Sequence, residues 1–403
     1  MVTCEVPAVE YEDHWWEARD DGMTGRRRRA AASGGYRSAM PARLLSWSPS
    51  LSVELATDLD EATRALSRFD AHARERLGPE SPSLGPMSAV LLRTESTSSS
   101  RIENLTVGAR QLALAELDQS TSANANVVVA NVRAMEAALS RADALDHSAV
   151  LEMRRVLLSA QPSGADRAGA HRDELVWVGA SAISPVGAAH IAPQADQVPD
   201  SMEDLLSFVR RLDLPPLLRA AIAHAQFEAI HPFSDGNGRT GRALVHAMLL
   251  EHGVLTTTTA PLSAGLLRDT DTYFDALTAY RAGQAGPIVE QFIDAAHFAA
   301  QTGGQLVERL LQEVEESRGR LAGVRRDATV WAVVPHLVAH PVINASFLKS
   351  QFALNDVTVQ RVLAQLVDRG VLVEVSGRRR HRVYHHPGIL AVLDDYARQL
   401  RRR

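Results

Sequence analysis

Cysteine is almost missing from this chain: Cys4 is the only one in 403 residues. That excludes an intramolecular disulfide and any cysteine-based zinc site, and an inert thiol is expected at this N-terminal position. Lysine is equally scarce, since Lys349 stands alone among 43 basic residues. We read the arginine excess as compositional bias, not as a functional signal. No unbroken apolar run of membrane-spanning length occurs, so no membrane partner is expected. Arg26 to Arg29 precede Ala30 to Ala32, but Ser33-Gly34-Gly35-Tyr36-Arg37 interrupts any apolar stretch and spoils a secretion signal. A reducing, cytoplasmic location is the resulting expectation. The formal net charge of −5 excludes a wholesale nucleic-acid coat, leaving room for local basic patches. What is present, 45% hydrophobic and 23% charged residues, suffices for the cores of two or three domains.

Residues 1 to 40 mix acidic, basic, Gly and Ser residues without periodicity and read as a flexible leader. Helical spacing then takes over. Leu55, Leu59, Ala62, Leu66 and Phe69 recur at threes and fours, as on one face of a helix. Gly78 to Gly85 reads as a loop, followed by a helix from Met87 to Ser96 that ends at the polar run Ser96 to Ser100. Asn124 to Ala142 and Ser148 to Ser159 are further helices. Val176-Trp177-Val178 and Ala189-His190-Ile191 flank a turn-rich segment and predict a short β-hairpin. Helices resume at Ser201 to Arg211 and after Pro215-Pro216, where proline suits a first turn. Gln301 to Arg320 reads as a long connecting helix.

The chemistry concentrates between His231 and Arg242. An apolar-periodic helix through Ile222, Phe227 and Ile230 breaks at His231-Pro232, because a residue before proline avoids helical geometry. Gly236-Asn237-Gly238 permits close backbone approach or positive φ, and a new helix follows with Gly241, Leu244, Val245 and Met248 on one face. The N–H groups at that N-terminus form an anion site. Arg239 and Arg242 lie three apart on its first turn, where cations oppose the helix dipole unless a polyanion lies between. Asp235 offers the hard oxygen that Mg²⁺ takes when it shares coordination with phosphates. His231 has the pKa range of a general base for an attacking hydroxyl. The inventory fits phosphoryl or nucleotidyl transfer.

The same residues match H-x-F-x-[D/E]-G-N-G-R-x-x-R at every specified position, and the chain thereby resembles the Fic family. The resemblance covers roughly residues 45 to 300. It implies His231 as general base and Asp235 as Mg²⁺ ligand. It further implies an ATP site over Gly236, Asn237, Gly238, Arg239, Thr240, Gly241 and Arg242. Asn237, Gly238 and Arg239 resemble the α/β-phosphate cradle and Arg242 the γ-phosphate arginine. Phosphorylating relatives tend to carry lysine where Gly238 stands, so AMP transfer is the implied reaction, onto a Ser, Thr or Tyr hydroxyl of a protein target. Self-modification is part of that expectation.

Beside this loop, Ser99-Ser100-Arg101-Ile102-Glu103-Asn104 resembles the family's inhibitory motif [S/T]-x-x-x-E-[G/N]. The resemblance implies that Ser99, Glu103 and Asn104 form a brake in which Glu103 pairs with Arg242 and turns the α-phosphate away from attack. Arg172-Asp173-Glu174-Leu175-Val176-Trp177-Val178-Gly179 resembles the family flap. Its edge at Val176, Trp177 and Val178 would register a target strand; the bland alternative is a structural hairpin with Trp177 in the core. Tyr273 and Phe274 fall where relatives often carry paired aromatics, with adenine contact or core packing as the two readings for each.

Beyond the long helix, Asp327 to Ala339, Ala345 to Ala353 and Thr358 to Arg369 read as three short helices, followed by strands at Val371 to Val375 and Arg382 to His385. That order predicts a winged helix-turn-helix. Arg361, Arg369, Arg378, Arg379, Arg380 and Arg382 give it a footprint for DNA; protein docking or homodimerisation is the competing use. The expected fold is therefore mainly α: a Fic-type bundle with a small hairpin flap, then the winged helix. The expected order is a leader over 1–40, a helical region over 41–160, a catalytic core over 161–315 and the C-terminal domain over 316–403. Two other functions stay open, an ATP-sensing DNA-binding regulator and an enzyme that removes AMP with Glu103 positioning water.

Overall fold

The computed structural model describes residues 4–18, 32–77, 83–159, 169–179, 183–375 and 382–400. Arg26 to Arg29, the loop residues 78–82 and the wing residues Ser376 to Arg380 lie outside them. The elements in chain order are β1 (Glu10–Trp16), β2 (Gly34–Met40), α1 (Val53–Leu77), α2 (Leu84–Ile102), α3 (Ala109–Glu116), α4 (Ala123–Leu139) and α5 (His147–Leu158). Next come β3 (Trp177–Val178), β4 (His190–Ile191), α6 (Val198–Val209), α7 (Pro216–Ile230), α8 (Asn237–Glu251), α9 (Leu262–Leu266) and α10 (Thr270–Arg281). The remainder is α11 (Gly286–Arg320), α12 (Val330–Val333), β5 (Val342–Asn344), α13 (Ala345–Phe352), α14 (Asp356–Asp368), β6 (Val373–Glu374), β7 (Val383–His385) and α15 (Pro387–Gln399). The architecture is mainly α, as expected.

Two compact units interleave along the chain, one of residues 1–62, 137–252 and 270–293, the other of 63–136, 253–269 and 294–403. They do not follow the four consecutive segments expected. The boundary at 315 falls inside α11, a single helix of 35 residues.

In the first unit, the expected leader is corrected. Residues 10–16 and 34–40 pair as an antiparallel ladder from Glu10↔Met40 to Trp16↔Gly34. The aromatic residues supply the strand preference: His14 stacks on Tyr36 at 5.3 Å, and Trp16 meets Trp177 edge-on at 5.4 Å. Cys4 is 2% exposed, and burial pushes its thiol up to about 11, so it is unreactive. α7 starts with Pro216 at its first turn and is buried nearly all round, as befits a central helix. Gly241 lets α8 approach α7 closely, since a Cβ there would sit 3.1 Å from His224 Nδ1 and Phe227 Cδ1.

In the second unit, α2 does not stop at the serine run but continues to Ile102. Serine is a poor helix residue when its hydroxyl competes for the backbone. Here Ser98 and Ser100 donate back to the carbonyls of Thr94 and Ser96, and Asn131 Nδ2 donates to Ser96 O at 2.8 Å and Ser100 Oγ at 3.1 Å. Ser98 and Ser100 are thus satisfied inside the unit, whereas the buried Ser96 hydroxyl finds no partner among the described residues. Short α3 had no sequence signal of its own.

Toward the C-terminus of this unit, the helix expected from Asp327 to Ala339 is instead the four-residue α12 running into a 3₁₀ turn at Val334–Leu337. Pro335 explains it, lacking the N–H an α-helix needs. Asn344 caps α13 through Phe347 N and Asn355 caps α14 through Thr358 N. β5 joins the two expected strands in a sheet of order β5-β7-β6.

Candidate active site

His231 closes α7 in the left-handed conformation, φ 50° and ψ 59°, which ends the helix at the residue before Pro232. Arg172 holds that kink. Its Nε donates to His231 O at 2.9 Å, its other guanidinium nitrogens donate to Glu174 O and Pro193 O, and its backbone N–H donates to Pro232 O. The His231 ring is 20% exposed. Its Nδ1 lies 3.3 Å from Glu228 O and 3.7 Å from the Glu228 carboxylate. A donated Nδ1–H places the lone pair on Nε2. Burial, reinforced by the Arg172 and Arg281 charges, pushes the imidazole down to about 4, against partial support from Glu228 O and Asp235. The ring is a neutral proton acceptor at neutral pH.

Asn237 closes the loop on itself. Its Oδ1 accepts from Phe233 N at 2.9 Å and its Nδ2 donates to Phe233 O at 2.8 Å. The side chain expected in a phosphate cradle therefore also shapes the loop. Gly236 is required where it stands: its φ is 82°, and a Cβ would meet Leu157 Cδ2 at 2.7 Å. From there α8 begins, so the N–H groups of Asn237, Gly238 and Arg239 form its first turn. Arg239, Thr240, Gly241 and Arg242 are all buried in that turn.

Phe233 anchors the loop from below. The Arg154 guanidinium lies 4.6 Å from its ring centre and donates to Ala170 O and to Ser234 Oγ. Asp235, by contrast, is 54% exposed and lies 3.5 Å from Arg239 Nη2. A single accessible carboxylate beside a helix N-terminus fits Mg²⁺ carried in with phosphate oxygens. Among the described residues no group of three His, Cys, Asp or Glu could hold a metal by itself.

The hairpin β3–β4 pairs Trp177↔Ile191 and Val178↔His190. Val176 O accepts from Ala192 N, Trp177 is half-buried against Trp16, and Val178 is 47% exposed. Among the described residues β3 and β4 form a two-stranded sheet. His190 is buried beneath, its Nε2 3.0 Å from Ala229 O and its ring 6.5 Å from His231.

For Tyr273 the core reading replaces the adenine contact: it is 1% exposed, and its hydroxyl meets His224 Nε2 of α7 at 2.7 Å. Phe274 is 48% exposed. Ser99, Glu103 and Asn104 belong to the second unit. There Asn104 N donates to Arg101 O and Leu105 N to Ser100 O, with Asn104 at φ 62°. These bonds are a Schellman cap, which asks for glycine or asparagine at the left-handed position. The motif's requirement after the glutamate is thus a backbone requirement.

Sequence reasoning missed Arg154, Glu228 and the clamping role of Arg172. Only Arg172 had a signal, as the first residue of the flap stretch. Residues 144–249 match the model of the Fic/DOC family, and residues 56–140 match that of the Fic/DOC family N-terminal region. The chain carries a Fic/DOC domain. It is 38% identical over 105 residues to protein adenylyltransferase fic-1 of Caenorhabditis elegans, covering 26% of this chain and 19% of that protein. It is 39% identical over 70 residues to a probable protein adenylyltransferase of Aquifex aeolicus, covering 17% of this chain and 22% of the other. The match thus spans about a fifth of these relatives' length. A Fic family protein from Desulfovibrio desulfuricans shares the fold with a TM-score of 0.53 and 21% identity, over 84% of this chain and 97% of that one.

Proposed function

We propose that the Fic/DOC domain transfers AMP from ATP to a Ser, Thr or Tyr hydroxyl of a protein, and that Glu103 restrains it. The observation that carries the reading is His231, its Nδ1 3.3 Å from Glu228 O, one self-closed loop away from the α8 N-terminus. In the reaction, Nε2 takes the proton of the target hydroxyl. Its oxygen forms a bond to the α-phosphorus, the bond to the bridging oxygen breaks, and pyrophosphate leaves. First-turn N–H groups and Arg239 hold the α- and β-phosphates, and Arg242 holds the γ-phosphate. Bound through Asp235, Mg²⁺ would neutralise phosphate charge. The β3 stretch at Val176, Trp177 and Val178 is suited to an extended target segment.

Glu103 is read as the inhibitory residue because its motif ends in the left-handed Asn104, and Arg242 is the arginine it would occupy. We read the C-terminal elements as a winged helix-turn-helix with α14 in the recognition position, for duplex DNA or a protein partner. Label from α-labelled ATP should appear weakly on the wild-type chain, rise in Glu103→Gly and vanish in His231→Ala. Label from γ-labelled ATP instead would replace AMP transfer with phosphorylation. Release of AMP from a modified protein, lost in Glu103→Gly, would favour removal of AMP.

A further inference from the structure

We propose that the N-terminal hairpin β1–β2 backs the flap hairpin β3–β4, and that Trp16 is a positioning residue for the target hydroxyl. The inference deepens the proposed function and rests on its reading of β3 as the docking stretch. The flap hairpin has little to hold it by itself. Its ladder is Trp177↔Ile191 and Val178↔His190, and so short a two-stranded hairpin is marginal in water. Its geometry has to come from its neighbours.

At its base the flap is tied to the catalytic loop. Arg172 donates to His231 O, Glu174 O and Pro193 O, so one guanidinium joins both limbs of the flap to the kink at His231. Farther out, the N-terminal hairpin takes over. Trp16 ends its ladder, opposite Gly34, and meets the flap in two ways. Its ring stands edge-on to Trp177 at 5.4 Å, and its Nε1–H donates to Ile183 O at 3.1 Å. Just before β2, Ala32 O accepts from Ser184 Oγ at 2.6 Å.

The returning limb is held from the same side. Gln194 Nε2 donates to the Tyr36 hydroxyl at 3.2 Å, and Gln197 Nε2 donates to Glu12 Oε2 at 3.3 Å. Tyr36 is fixed in turn, stacked on His14 at 5.3 Å and edge-on to Trp16 at 6.4 Å. Contacts on both limbs fix the direction of β3 as well as its distance from the kink. A segment laid along β3 therefore takes its register from Arg172 at the base and from Trp16 farther out. That register matters, because a shift of about 1 Å caused away from the chemistry can cost about a hundredfold in rate. The segment that sequence patterning leaves without a role thus belongs to the acceptor side of the site.

Self-labelling by α-labelled ATP in the Glu103→Gly chain tests the role, with Trp16→Ala and Trp16→Phe added in turn. Trp16→Ala should lower the limiting rate by about tenfold or more and leave the KM for ATP unchanged. Trp16→Phe keeps a ring edge against Trp177 and should recover most of the rate. An unchanged rate in a folded Trp16→Ala chain overturns the positioning role. A KM for ATP that rises as the rate falls also overturns it, since the whole domain has then loosened. Amide exchange reads the brace without activity: Ala189 N and Ala192 N, which donate to Val178 O and Val176 O, should exchange faster in Trp16→Ala. Equal exchange overturns the brace. Absence of label from every variant overturns the proposed function, and the positioning role with it, while the exchange result still decides the brace.

Discussion

His231 combines a left-handed helix cap with a ring that burial keeps neutral. A group held near 4 in the folded enzyme stays a competent base well below its ordinary 6.5. The acid limb of kcat/KM for the free enzyme should therefore fall near pH 4; a limb near 6.5 would show that the ring is solvated. Asn237→Ala removes both bonds to the Phe233 backbone. It should cost roughly 2 kcal/mol in urea unfolding and lower the rate, because the buried Phe233 N–H and C=O lose their partner. Every residue of the His231–Arg242 loop was legible in sequence, as spacing of residue types. The division of labour was not. Nothing in the spacing tells that Asn237 shapes the loop, or that Arg154 and Arg172 support it from segments far away in sequence.

At the scale of elements, amphipathic helices such as α1 were readable because Leu55, Leu59, Leu66 and Phe69 keep a helical period and are all buried. α2 was cut short in the sequence reading because serine is judged locally. Its continuation depends on Asn131, a partner from another helix. Asn131→Leu should therefore fray the last turns of α2, seen as faster amide exchange over residues 96–104. The cap at its end makes a finer demand. Asn104→Gly should be tolerated, whereas Asn104→Val should cost about 1–2 kcal/mol, the strain of a left-handed backbone in a β-branched residue. Equal stability of the two variants would mean that the cap opens freely. The N-terminal hairpin was missed for a related reason. Its aromatic residues alternate only after the ladder with β2 is known, and the intervening Arg run hides the pairing.

On the scale of the molecule, burial holds six histidines among the described residues well below their ordinary range: His171, His231, His340 and His386 near 4, His190 and His224 near 3. Between about pH 4 and 6.5 the unfolded chain binds protons that the folded chain does not, so stability should rise with pH through that window. Unfolding at pH 5 should take up on the order of one proton per such histidine, and the melting temperature at pH 5 should lie clearly below that at pH 7. A flat profile would contradict neutral buried rings. The interleaving of the two units was beyond sequence reading, since α1, α4 and α11 each contribute to both and no composition shift marks a mid-helix boundary. AMP transfer from the His231 loop is tested most directly by the intact mass of the Glu103→Gly chain after incubation with ATP and Mg²⁺. A gain of one adenylyl group per modified site, absent when His231→Ala is added, is the predicted result; a gain of one phosphoryl group, or a gain that survives His231→Ala, would contradict it.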